Sequence, residues 1–335
     1  MKAIAYTTSG LPIEDPASLI DIDLPTPIPG PRDLLVAVKA VSVNPVDTKV
    51  RRGTAVSAPG VLGWDAAGVV NAVGPQVTLF KVGDPVFYAG SIARPGSNSE
   101  LHLVDERIVG RKPASLGFGE AAALPLTSIT AWELLFDRLG VAENGGAGAS
   151  LLIVGAGGGV GSILTQIARK LTRLTVIGTA SRPETRQWVT DLGAHHVVDH
   201  TRPLAAELAG IGVGAVAYVA SLTHTEKHYQ QLIEALAPQG SLGLIDDPKQ
   251  LDAVPLKRKS LSLHWELMFT RSLFQTPDMI RQHQLLERVS ALVDEGVIKT
   301  TLGEHFGQLN ASNLRRAHAL VESGKARGKI VLEGF

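Results

Sequence analysis

The chain has 335 residues, with 32 Lys+Arg against 32 Asp+Glu and 44% hydrophobic residues. That length fits two domains of about 150 residues each, and zero formal net charge leaves no electrostatic footprint for nucleic acid or an anionic membrane. With no cysteine, disulfides and thiolate zinc sites are excluded, and the expected partner is a small-molecule substrate.

The N-terminal stretch MKAIAYTTSGLPIEDPASL lacks the apolar core and cleavage pattern of a signal peptide. No uninterrupted apolar run reaches the ~18 residues that a membrane span needs. A cytoplasmic protein with no membrane partner is expected.

The first 110 residues read as short strands separated by Gly and Pro. LLVAVKAVSV (34–43), GVVNAVG (68–74), DPVFYAG (84–90) and ELHLVDERIVG (100–110) have strand composition, and Pro29-Gly30-Pro31 and Pro95-Gly96-Ser97 mark turns between them. The spacing predicts a compact β-barrel or sandwich-like unit. From about residue 119 the pattern is helical: in GEAAALPLTSITAWELLFDRLG, Ile129, Trp132, Leu135, Phe136 and Leu139 share one face.

Strands and helices then alternate. SLLIVGA is a strand, VGSILTQIARKL a helix, and LTVIGTA the next strand; AVAYVA (215–220) and GSLGLID (240–246) are further buried strands. Between the last two, HYQQLIEALAP (228–238) is a helix ended by Pro238. An amphipathic helix is predicted over roughly 278–295, and a last strand in GKARGKIVLEGF. This alternation predicts an α/β fold with a doubly wound parallel sheet.

LLIVGAGGGVGS carries the strongest signal, because an apolar strand runs through a glycine loop into a helix. On the dinucleotide fingerprint it reads Ala156-x-Gly158-x-x-Gly161. Small residues there permit a tight turn, close approach of a pyrophosphate and close helix–strand packing. Gly159 and Val160 open the helix, whose N-terminus offers free N–H groups to phosphate. At the end of the second strand a carboxylate would select NADH. Ala180, Ser181 and Arg182 stand there instead. A hydroxyl and a guanidinium without an acid favour a 2′-phosphate, so NADPH is the expected cofactor. Arg186, one turn further on, is either a helper or surface charge.

VSVNPVDTKVR, LGWDAAGVV, LPLTSITAWELL, GGGVG and TASRPETRQWVTDLGAHHVVDH follow one another in this order. Together they resemble the medium-chain dehydrogenase/reductase superfamily along essentially the whole chain. The likeness is greatest to its quinone oxidoreductase-like, zinc-free branch and to proteins called zinc-type alcohol dehydrogenase-like. It implies a GroES-like β-rich catalytic domain from 1–124 and 270–335, and a Rossmann cofactor domain over 125–269. An active site in a cleft and a homodimer are also implied, with SLSLHWELMF as an edge strand suited to pairing or else a buried strand.

Residue by residue, the family's catalytic zinc ligands fall at Asn44, at Trp64 within GWDAAG, and near Ile129 or Thr130. None is a usual zinc ligand, so a metal-free protein is expected. Metal-free hydride transfer suits acceptors that delocalise charge, such as quinones and α,β-unsaturated carbonyls.

The resemblance gives Asn44 an amide donor for the substrate oxygen, places Thr130 near the nicotinamide, and makes Trp64 a wall in the vacated volume. Asp47 either orients the Asn44 loop or caps the helix after Pro45. Tyr88 is a proton donor or a core residue. Arg327 and Lys329 reach cofactor phosphates or form a solvated turn. His195, His196, Asp199 and His200 in GAHHVVDH are read as surface groups. The alternatives are a dehydrogenase with an atypical metal site and a low-turnover NADPH-binding sensor.

Overall fold

A computed structural model describes all 335 residues. The chain divides into two compact units, Met1–Ile129 with Phe269–Phe335, and Thr130–Met268.

The first unit is built on the long strand Asp33–Val43, where Leu34, Leu35, Val36, Val38, Ala40, Val41 and Val43 are all buried. One of its edges pairs antiparallel with Ala66–Val73, and irregularities at Leu35/Val36 and Val38/Ala40 bend the ladder. Its other edge is shared. Leu101–Asp105 pairs along Asp33 to Ala37, and Lys329–Glu333 pairs along Ala40 to Val43. The C-terminal strand therefore lies directly against the end of the strand that delivers Asn44.

The single strand expected over 100–110 is interrupted. Leu101–Asp105 and Val109–Arg111 are separate strands, with a 3-10 turn at Glu106–Ile108 between them. The buried Glu106 carboxylate accepts the Thr78 and Leu79 N–H groups and Arg32 Nη1, which pins the turn.

The helical stretch predicted from 119 to 139 is also divided, into Phe118–Ala122, Pro125–Trp132 and a π-helical turn at Glu133–Arg138. Pro125 explains the first break, since it lacks an N–H and crowds the preceding turn. In the π turn the Leu139 N–H reaches back to Leu134 O. Glu133, Leu134 and Leu135 are consequently buried, while Trp132 and Phe136 stack edge-on at 4.8 Å in a half-exposed pair.

The second unit holds a six-stranded parallel sheet. Its spatial order is His196–Val198, Thr175–Thr179, Ser150–Val154, Val216–Ser221, Leu236–Leu244, Ser262–Trp265. Numbered along the chain this is the 3-2-1-4-5-6 order of a Rossmann domain.

Pro238 does not end the preceding helix, which stops at Ala235. The proline sits inside Leu236–Leu244, where the pairing partner changes from Leu236 opposite Val216 to Ser241 opposite Tyr218. A residue without an N–H is tolerated at such an irregularity. Ser262–Trp265 is an edge strand, and both Trp265 and the nearby Leu267 are more than half exposed. The amphipathic helix predicted over 278–295 runs Ile280–Asp294. No helix is long and apolar enough to cross a membrane.

Candidate active site

The glycine loop of the second unit follows Ser150–Val154 and leads into the helix Gly159–Leu171. Gly155 has φ +82°, and a Cβ at Gly161 would stand 2.4 Å from Gly155 O and 2.5 Å from the Ala156 Cα. Only glycine lets this helix begin so close to the strand. Ala156 is buried beneath the turn, whereas Gly158, Gly159 and Val160 are partly exposed at the start of the helix, where backbone N–H groups have no intrahelical acceptor. The residues fit a dinucleotide pyrophosphate.

At the end of Thr175–Thr179, Ser181 is exposed and Arg182 has its Nε 3.6 Å from Glu184 Oε1. Arg186 is a brace between strand ends: Nη1 donates to Ala180 O at 3.1 Å and Nη2 to Val197 O at 2.8 Å. Both Nη groups of Arg186 are thus engaged by strand carbonyls.

In the first unit, Asn44 precedes the helix Pro45–Gly53. Asp47, in the first turn, accepts the Asn44 N–H at Oδ2 (2.5 Å) and the Gly63 N–H at Oδ1 (3.0 Å). Both expected roles are thus played by one carboxylate, which caps the helix and ties the Asn44 loop to GWDAAG. Burial pushes the Asp47 carboxyl up to about 7 against these hydrogen bonds. Gly63 has φ +105°, and a Cβ there would lie 2.6 Å from Asn98 Oδ1, so this loop too needs a glycine.

Lys329, expected on cofactor phosphates or in a solvated turn, is instead the buried centre of the site, because its ammonium is taken up by Val43 O, Asn44 and Asp65. Lys329, in the C-terminal strand, is only 3% exposed. Its ammonium donates to Val43 O at 3.0 Å and to Asn44 Oδ1, and lies 3.0 Å from Asp65 Oδ2. Three donors meet three acceptors. Asn44 Nδ2 donates to Asp65 Oδ2 at 2.9 Å and makes a long 3.4 Å contact with Ser42 O. Asp65 Oδ1 accepts the Leu126 N–H at 2.8 Å. Burial raises the Asp65 carboxyl's proton affinity, and the Lys329 charge opposes that shift. The signal in the sequence was a lysine opening a continuous apolar run, GKIVL, of the kind found in strands buried on both faces.

Trp64 is buried. Its indole N–H donates to Ser91 O at 3.1 Å, and its ring meets Phe269 edge-on at 6.2 Å. Tyr88 lies in the core, stacked on His102 with its hydroxyl 3.1 Å from His102 Nδ1, and burial strongly raises its proton affinity. That pairing describes a structural tyrosine. Thr130 is buried at the first residue of the second unit, and Arg327 is half-buried just before the C-terminal strand.

A family zinc does not fit these residues. Both Asp47 oxygens accept backbone N–H groups, both Asp65 oxygens and Asn44 Oδ1 already accept hydrogen bonds, and an ammonium stands within 3.0 Å of Asp65. A cation placed there would face a fixed positive charge and no free lone-pair set. In GAHHVVDH, His195 Nδ1 accepts the Val176 N–H, and no three His, Cys, Asp or Glu side chains of the chain converge as a ligand group.

Two family descriptions match the chain, Alcohol dehydrogenase GroES-like domain over residues 30–129 and Zinc-binding dehydrogenase over residues 192–332. The zinc-type alcohol dehydrogenase-like protein SAS2087 of Staphylococcus aureus (strain MSSA476) is 43% identical over 91% of this chain and 92% of its own length. The quinone oxidoreductase of Lama guanicoe is 30% identical over 99% of this chain and 97% of its own. A crystal structure of a candidate zinc-dependent alcohol dehydrogenase from Rhizobium etli CFN 42 superposes with a TM-score of 0.96 at 62% identity, covering 100% of this chain and 98% of that one. The chain belongs to the medium-chain dehydrogenase/reductase superfamily, as an oxidoreductase with a GroES-like domain and a Rossmann domain.

Proposed function

We propose that the protein is an NADPH-dependent, metal-free reductase that transfers hydride to quinones or α,β-unsaturated carbonyls. The observation that carries this reading is the Lys329 ammonium held between Asn44 and Asp65, where the family pattern would supply metal ligands. A site of this kind lacks a strong Lewis acid for a localised alkoxide. It suits acceptors whose product anion is spread over a ring or an enolate.

The cofactor, when bound, supplies the hydride. Gly158, Gly159, Val160 and Gly161 would hold its pyrophosphate at the helix N-terminus. Ser181 and Arg182 would hold the 2′-phosphate, with Arg186 bracing the strand ends behind them. Thr130 would lie beside the nicotinamide. Asn44 Nδ2 has one hydrogen firmly on Asp65 and a second held only by the 3.4 Å contact to Ser42 O. A substrate oxygen can take that second hydrogen. Asp47 keeps the loop in place, Trp64 excludes water from the wall, and water returns the proton. We place the enzyme in the cytoplasm as a homodimer joined through its Ser262–Trp265 edge strand.

The test is NADPH oxidation against quinones, enones, enals and simple aldehydes, with NADH beside it and chelator added. Turnover of conjugated acceptors that survives the chelator and prefers NADPH is expected. Chelator-sensitive turnover of simple aldehydes would overturn the proposal. No turnover of any acceptor would favour a cofactor-binding sensor.

A further inference from the structure

We infer that Lys329 is a positioning residue: its ammonium fixes which end of the Asn44 amide faces the substrate. This deepens the proposed function and rests on Asn44 as the donor to the substrate oxygen.

A primary amide can sit in a pocket either way round at little steric difference, so its sense is set by its neighbours' charges. Here Oδ1 faces the Lys329 ammonium and Nδ2 faces the Asp65 carboxylate. Reversing the amide would set N–H against N–H and oxygen against oxygen in a site from which water is excluded, with Asn44, Asp65 and Lys329 each no more than 3% exposed. Unpaired polar groups of this kind are costly to bury. The second Nδ2 hydrogen is thereby aimed along one direction before any substrate arrives, which is what makes a donor effective in a transition state.

Asp65 alone would not maintain this sense. It faces Lys329, Asn44 and the Leu126 N–H, with Asp47 close enough for the two acids to repel. A buried carboxylate that loses its cation takes up a proton. Protonated Asp65 becomes a hydrogen-bond donor, and a donor accepts the amide in its reversed sense. Lys329 keeps Asp65 an acceptor, and through it keeps Asn44 a donor toward the substrate.

The experiment compares Lys329→Ala, Lys329→Met with Asp65→Asn, and Asn44→Ala for kcat, KM and thermal midpoint, each with and without ethylammonium or tetramethylammonium at equal ionic strength. Lys329→Ala should lower kcat by about 100-fold, the size seen when one transition-state donor is removed, and leave the KM for NADPH within about 3-fold, since ground-state cofactor binding is untouched. Ethylammonium, which carries N–H donors into the vacated volume, should recover about 10-fold of kcat and raise the midpoint; tetramethylammonium should do neither. The neutral Met/Asn pair should regain thermal stability while kcat stays low.

Full kcat in Lys329→Ala or in the neutral pair, beside a dead Asn44→Ala, overturns the role of Lys329 alone. Full kcat in Asn44→Ala overturns the donor reading of Asn44. If the wild-type chain turns over no acceptor, the midpoint decides: a rise specific to ethylammonium keeps the ammonium site, and its absence sinks it. If Lys329→Ala does not fold, the neutral pair decides by its kcat.

Discussion

Trp64→His puts an imidazole, a common zinc ligand, at the position in GWDAAG where the family resemblance sets a ligand, and its cost can be worked from the packing. The indole is 3% exposed, gives its N–H to Ser91 O and packs edge-on against Phe269. Truncating a buried Trp to Ala costs about 3–5 kcal/mol. An imidazole keeps part of the ring volume but loses the benzo ring, and an aromatic edge contact is itself worth about 0.5–1.5 kcal/mol. The expected loss is about 2–4 kcal/mol. For a unit of ~200 residues, each kcal/mol moves the midpoint by about 2–4 °C, so calorimetry should show a fall of about 5–15 °C. Zinc should not reverse it, because Asn44, Asp65 and Lys329 remain committed to one another. A ligand at 100 times its Kd would stabilise by about 2.7 kcal/mol. A zinc-dependent rise of about 5 °C or more in Trp64→His, absent from the parent, would refute the reasoning, as would a variant as stable as the parent.

Other substitutions probe other parts of the molecule. Arg182→Ala should raise the KM for NADPH by about 10–100-fold, the worth of a charge-assisted hydrogen bond, and leave NADH kinetics nearly unchanged; equal effects on both cofactors in steady-state assays would remove Arg182 from the 2′-phosphate. His318 is fully buried with neither ring nitrogen meeting a protein partner, and burial, helped by the Arg51 charge, pushes it down to about 3. A depressed histidine contributes stability above its unfolded pKa of ~6.5 that is lost as pH falls through 6.5 toward 3. His318→Leu should therefore leave the urea midpoint at pH 7 unchanged or higher and flatten its decline below pH 6; an unchanged acid slope would contradict this. Trp265→Asp, on the exposed edge strand, should leave only monomer in sedimentation at micromolar concentration if the proposed homodimer joins there, and a dimer of undiminished stability would place the interface elsewhere.

The Rossmann half of the fold was legible because its signals are local. The strand, glycine loop and helix from Ser150 to Leu171 announce themselves by apolar period and by Gly161, whose Cβ has no room. Pro238 misled because a long-range pairing, Val216 opposite Leu236, overrides the rule that proline ends helices. The stretch 119–139 reads as one helix by periodicity, which does not register a shift to five-residue hydrogen bonding at Leu139. In the candidate site, Asn44, Asp47 and Trp64 were visible as positions in a motif. What they touch was not: the partner of both Asn44 and Asp65 is Lys329, and the partner of Tyr88 is His102 fourteen residues on. Side-chain pairing across strands leaves no periodic trace in a sequence.

The Asn44–Lys329 contact joins residues 285 apart, with the whole second unit between them. That separation has a kinetic consequence. The parallel sheet of the second unit is continuous in sequence, so it can fold from contacts it already contains. The first unit cannot complete its long strand until Lys329–Glu333 arrives to occupy the edge from Ala40 to Val43. Until then the carboxylate of Asp65 has no counter-charge and a sheet edge stands open. Closing so long a loop is slow, and open edges invite pairing with other chains. The second unit should therefore acquire protection from hydrogen exchange first, with the strand around Asn44 among the last parts of the molecule to do so.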